Sequence, residues 1–122
     1  LEAVTVVIAA HGSEHNGKPA RAARDFAERL GRLLPEARLR LGFVDQSPSI
    51  AEAASEVGPY AICLPFFAAS GGHFRKDIPD ELKKVGFTGI LLDPIGDHPA
   101  LAEMVAGRIG EALKRLCQTN SA

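Results

Sequence analysis

The sequence predicts one α/β domain, a four-stranded parallel sheet with helices on both faces. Two observations carry this. Strand-like apolar runs alternate four times with helical stripes along the chain, which is the signature of successive βα units. The first run, residues 4–10 (VTVVIAA), is continuous and largely β-branched rather than alternating, as expected of a strand buried on both faces. At 122 residues the chain has the length of one domain, and residues 1–122 are read as one.

The first strand stops at the polar segment HGSEHNGKP. Phe26, Leu30 and Leu33 then recur at i, i+4 and i+7 with Arg and Glu between them, which predicts a helix ending at Pro35. Residues 39–44 form the second strand candidate and close at Asp45. Ser49 and Glu52 have the spacing of a capping box. Ile50, Ala54 and Val57 supply a short stripe behind it, and Gly58 a stop. Residues 60–66 are the third strand, with Pro65 marking its end because proline cannot donate to a ladder. The loop FAASGGHFRKD follows, then Ile78, Leu82 and Val85 at helical spacing. Residues 89–95 are the fourth strand. Pro99 suits the first turn of a last helix capped by Asp97 or His98, along which Leu101, Val105, Ile109, Ala112 and Leu116 form a long apolar stripe.

Composition excludes several classes. Hydrophobic residues at 46% and charged residues at 24% are ordinary for a folded domain. A net charge of −1 speaks against a nucleic-acid partner. The opening apolar run is far short of a membrane span and has no signal-peptide pattern. Cys63 and Cys117 lack zinc-ligand spacing and read as reduced packing residues of a cytoplasmic protein. Neither GxGxxG nor GxxxxGK[ST] occurs, so no nucleotide is expected.

Ligands of open α/β sheets bind beyond the carboxyl ends of the strands, where the strand order reverses. With right-handed crossovers and a flavodoxin-like order 2-1-3-4, that point falls between strands 1 and 3. The loops there carry His11 and His73, and the neighbouring strand 2 ends at Asp45. Two imidazoles and a carboxylate suit a divalent first-row metal. Lys18, Arg21, Arg75 and Lys76 lie near the same edge as candidates for anionic groups. His15 reads as solvated, and His98 as a helix-start residue.

AHGS after strand 1, DQSPSIAEA, LPFFAASGGHFRKDIP and IGDHPAL resemble, in order and across nearly the whole chain, the class II chelatases, above all the short CbiX-type sirohydrochlorin chelatases. The resemblance implies insertion of a divalent metal, Co²⁺ or Fe²⁺ as substrate, into the tetrapyrrole sirohydrochlorin in cobalamin or siroheme biosynthesis. It also implies a homodimer whose cleft faces the partner. The family's catalytic and metal-binding histidines fall on His11 and His73, and its frequent strand-2 glutamate on Asp45, one methylene shorter. Many members carry Arg where this chain has Glu14. Substrate contacts are expected at Ser13, Lys18, Ser70, Gly71, Gly72, Phe74 and Arg75. The small residues would admit a flat ring to the backbone, the basic ones would meet its carboxylates, and Phe66, Phe67 and Phe74 would wall the cleft. The alternative is a non-catalytic metal or tetrapyrrole carrier of the same fold.

Overall fold

The computed structural model describes residues 3–13, 15–66 and 72–120, with backbone alone at 72–75 and 119–120. Four parallel strands, β1 (Thr5–Ala10), β2 (Arg38–Phe43), β3 (Ala61–Pro65) and β4 (Ile90–Leu91), stand in the order β2-β1-β3-β4. Between and after them come α1 (Lys18–Leu33), α2 (Ile50–Ala53), α3 (Gly72–Lys84), a 3₁₀ turn at Ile95–Asp97 and α4 (Pro99–Asn120). The predicted fold class and order therefore hold.

β1 is central and every residue of it is buried, which is why its sequence is apolar without alternation. One face carries α2 and α3 over Val7, Ala9, Cys63, Ile50, Ile78 and Leu82; the other carries α1 over Ala10, Phe43 and Leu41. Fully burying a side chain the size of Ile8, Ile50 or Ile78 stabilises the fold by roughly 1.5–3 kcal/mol. α2 comes very close to β2. A Cβ placed on Gly42 would lie 2.7 Å from Ile50 Cα and 2.9 Å from Ala53 Cβ, so only glycine allows this contact.

Polar ties fix the short α2. Ser49 Oγ accepts the Glu52 N–H at 3.0 Å, as the capping-box spacing predicts. The Glu81 carboxylate on α3 accepts the Ala51 N–H at 3.0 Å. The hydrogen bond from Lys84 holds Glu81 below the ordinary carboxylate value of 4.5, and the Ala51 bond adds to it. That contribution to stability is complete above the ordinary value and fades as pH falls through the lowered one. Arg40 on β2 donates to Ser55 O at 2.9 Å at the other end of the helix.

Four elements differ from the expectations. α1 buries Ala20 and Ala23, while Phe26 and Leu30 are half-buried and Leu33 is 78% exposed. The sixteen-residue helix, about 24 Å long, outruns a six-residue strand of about 20 Å, so its last turn overhangs the sheet. α2 is a single turn, not a stripe reaching Val57; Glu56 follows at positive φ. β4 is two residues rather than seven, because Asp93-Pro94 and the 3₁₀ turn take the chain away after the Leu92 N–H bonds Cys63 O at 2.9 Å. α3 begins at Gly72, so His73 lies in its first turn rather than in a loop.

α4 begins as predicted. Pro99 is its first residue, and His98 Nδ1 accepts the Ala100 N–H at 3.1 Å. Its stripe does not meet the sheet, however. Val105, Ile109, Leu113 and Leu116 are 43–58% exposed, and the helix packs mainly on the 3₁₀ turn before it. Among the described residues no helix is long and apolar enough to cross a membrane.

Burial pushes the Cys63 thiol from 9.0 up to about 12. At pH 8 it has almost no thiolate to react. Iodoacetamide should leave Cys63 unmodified in the native protein and label it after urea unfolding, read by mass spectrometry of its peptide.

Candidate functional site

The carboxyl edge of β1 and β2 carries the predicted pair. His11 follows directly on β1 and Asp45 comes two residues after β2. The sheet ladder runs one bond further, the Val44 N–H donating to Ala10 O at 3.0 Å, and in the bend that follows the Asp45 N–H donates to His11 O at 2.9 Å. The side chains meet as well, with His11 Nδ1 3.0 Å from Asp45 Oδ2. Both are more than half exposed, so the pair stands on the edge of the sheet in contact with solvent.

This contact has a chemical consequence. A neutral imidazole that donates its Nδ1–H to a carboxylate carries its lone pair on Nε2, and the carboxylate orients the ring. Such a nitrogen can bind a metal or accept a proton.

The segment after His11 is tied by its own polar groups. Gly12 turns the chain at φ +69°. The Ser13 N–H donates to Gln46 Oε1 at 2.8 Å. Ser13 Oγ accepts the N–H groups of His15 and Asn16, both at 3.2 Å. Asn16 Oδ1 accepts the Lys18 N–H at 3.0 Å, where α1 begins. Lys18 and Arg21 project exposed from the first turn of that helix, and Lys76 is exposed on α3. His15 is exposed, as expected.

Beyond β3 the Phe66 N–H continues the ladder to Ala9 O at 2.7 Å. The Phe66 ring stacks on Phe26 of α1 with centroids 4.6 Å apart, so it joins the packing between sheet and helix. Glu14, Phe67, Ser70 and Gly71 lie outside the described residues, as do the side chains of His73, Phe74 and Arg75. The backbone of Gly72 and His73 opens α3, the element that follows β3. Among the described residues no group of three or more His, Cys, Asp or Glu gathers in one place. A cleft of about 710 Å³ lined by Val4, Leu33, Leu34, Pro35 and Tyr60 lies at the opposite, amino-terminal end of the strands, away from His11.

Gln46 is the residue that sequence reasoning missed. Nothing in its type announces a role. Only its place directly after Asp45, at the end of β2, could have drawn attention to it.

Fold and edge together define an α/β protein with helices on both faces of a parallel sheet and a histidine–carboxylate pair beside the switch point between β1 and β3. The chain belongs to the CbiX family, whose pattern residues 5–112 match. The sirohydrochlorin cobaltochelatase of Sulfurisphaera tokodaii is 34% identical over 79 residues, 60% of this chain and 66% of the relative. That of Sulfolobus acidocaldarius is 29% identical over 96 residues, 73% of this chain and 76% of the relative. A solved structure of CbiX, described as the terminal enzyme for biosynthesis of siroheme in denitrifying bacteria, superposes with a TM-score of 0.82 at 38% identity over 92% of this chain and 49% of that one. The chain thus spans about half of that protein and just under two thirds of the Sulfurisphaera relative. A candidate cobalamin biosynthesis CbiX protein from Marinobacter aquaeolei VT8, at 24% identity and a TM-score of 0.70, shares the fold.

Proposed function

We propose that this protein is a cytoplasmic sirohydrochlorin chelatase that inserts a divalent metal, cobalt in the first place and iron in the second. The observation that carries the reading is the His11 Nδ1–Asp45 Oδ2 contact of 3.0 Å at the carboxyl edge of the sheet, in a chain of the CbiX family. Cobalt is preferred because the two curated relatives are cobaltochelatases; the siroheme role of the superposed CbiX supports iron. The free thiols of Cys63 and Cys117 fit a reducing compartment.

In this reading His11 and His73 are the nitrogen donors to the incoming metal, and Asp45 contributes charge through its contact with His11. Insertion removes two pyrrole N–H protons as four ring nitrogens replace water on the ion. The Nε2 lone pair of His11 serves either as ligand or as proton acceptor. Two imidazoles, with Asp45 as at most one further donor, leave coordination positions open, so the metal can be passed on rather than trapped. Ser13, Lys18, Ser70, Gly71, Gly72, Phe74 and Arg75 receive the carboxylate-edged ring, the basic side chains pairing with its carboxylates.

The test is anaerobic absorbance of sirohydrochlorin with Co²⁺, wild type against His73→Ala, repeated with Fe²⁺. Insertion above the uncatalysed rate in wild type and its loss in the variant support the chelatase. A background rate with both metals sinks it, and stoichiometric binding without turnover would favour the carrier.

We propose further that the protein works as a homodimer in which each α4 lies on the other copy. Two exposed apolar surfaces support this. One is the α4 stripe. The other is the α1-side face of β3 and β4, where Ile62 pairs with Ile90 and Ile90 is 61% exposed, because α1 packs mainly on β1 and β2. Surfaces of this kind are normally covered. Light scattering after size exclusion should give twice the mass of the chain, and Ile109→Asp should halve it; a monomeric wild type overturns the dimer.

A further inference from the structure

We infer that Gln46 is a positioning residue for substrate: it clamps the turn after His11 and thereby sets Ser13 and the segment leading to Lys18. The inference rests on the chelatase reading and adds to it a residue outside the predicted set.

His11 itself is held twice by Asp45, through its carbonyl and through its ring. The next residue leaves that ladder. Gly12 adopts φ +69°, and its α-carbon is packed so tightly that a Cβ there would lie 2.7 Å from Gln46 Oε1 and 2.9 Å from Phe43 Cδ1. The Ser13 N–H, partly buried, then finds its acceptor in Gln46 Oε1 at 2.8 Å. No sheet bond reaches this amide among the described residues. From Ser13 the order passes on through Ser13 Oγ to His15 and Asn16, and through Asn16 Oδ1 to Lys18. A single side-chain amide from the β2 loop thus anchors a chain of bonds that ends at the first residue of α1. Without it, a partly buried N–H loses its partner, and the loop is free to shift relative to His11.

This division of labour predicts a specific kinetic split. His11 keeps its two bonds to Asp45, so the chemical step is preserved. The groups assigned to the ring carboxylates, Ser13 and Lys18, lose their fixed placement, so binding suffers. Gln46→Met keeps the length of the side chain and removes the acceptor. Gln46→Asn keeps the amide but withdraws it by one methylene, and it serves if the methionine variant does not fold. In anaerobic Co²⁺ insertion, KM for sirohydrochlorin should rise about tenfold in either variant, the size of one lost hydrogen bond, with kcat within about threefold of wild type. A purely structural role would lower the active fraction, hence apparent kcat, at constant KM. That result, or a KM equal to wild type, overturns the inference while leaving the chelatase standing. If wild type inserts no metal, the chelatase reading falls. Absorbance titration of metal-free sirohydrochlorin then decides: tenfold weaker binding in the variants upholds the clamp, and equal or absent binding overturns it.

Discussion

Alanine at His11 should reduce Co²⁺ insertion into sirohydrochlorin by at least about a hundredfold, to the uncatalysed rate. The substitution removes the imidazole that Asp45 orients across 3.0 Å, and with it a ligand and a proton acceptor together; each of these functions is worth tenfold or more on its own. Asp45→Asn is the informative companion. Its amide oxygen can still accept from Nδ1, so the ring stays oriented, but the negative charge is gone. A loss of about tenfold is expected there. Initial rates by absorbance, with melting curves to establish that both variants fold, provide the check. A His11→Ala enzyme at wild-type rate would remove His11 from the mechanism.

The second large effect concerns stability. Gly42→Val should destabilise the fold by about 3 kcal/mol or more, beyond the usual range for overpacking, because the new Cβ would press on Ile50 Cα at 2.7 Å and on Ser49 O at 2.9 Å. These are atoms of the backbone that starts α2, and they cannot rotate aside as a side-chain tip would. Gly107→Ala on α4, where a Cβ meets open space, should instead gain up to about 1 kcal/mol from helix propensity. Urea midpoints of the two variants against wild type separate these outcomes. An unchanged midpoint for Gly42→Val would show that α2 can move off β2 at little cost.

The strands could be read from the sequence wherever burial was two-sided. Residues 4–10 gave a continuous apolar run because β1 has a neighbour on each edge and a layer on each face. The cap of α2 was legible because Ser49 and Glu52 interact locally. Strand 4 was read too long. Its apolar letters GILLDPI report solvent avoidance, not pairing, and the chain leaves the ladder after Leu92. Leu33 completes the helical spacing yet is exposed, because periodicity cannot tell where a helix outruns the sheet beneath it. At the site, the strand order brought His11 and Asp45 to one edge correctly, since each follows within two residues on a strand of known neighbours. Gln46 was illegible because its partner, Ser13, is 33 residues away and its role exists only once β1 and β2 are paired.

The backbone bonds from Val44 to Ala10 and from Asp45 to His11 tie the start of the β2 loop to the end of β1, directly beneath the site. The backbone that carries the histidine–carboxylate pair is therefore anchored to the sheet rather than borne on a free loop. In native-state hydrogen exchange, the Asp45 amide should open only with the whole molecule, at the protein's full unfolding free energy. The His15 and Asn16 amides, which among the described residues bond a hydroxyl two or three residues away, should exchange by cheap local openings. Heat or denaturant would then release the backbone spacing of His11 and Asp45 together with the sheet.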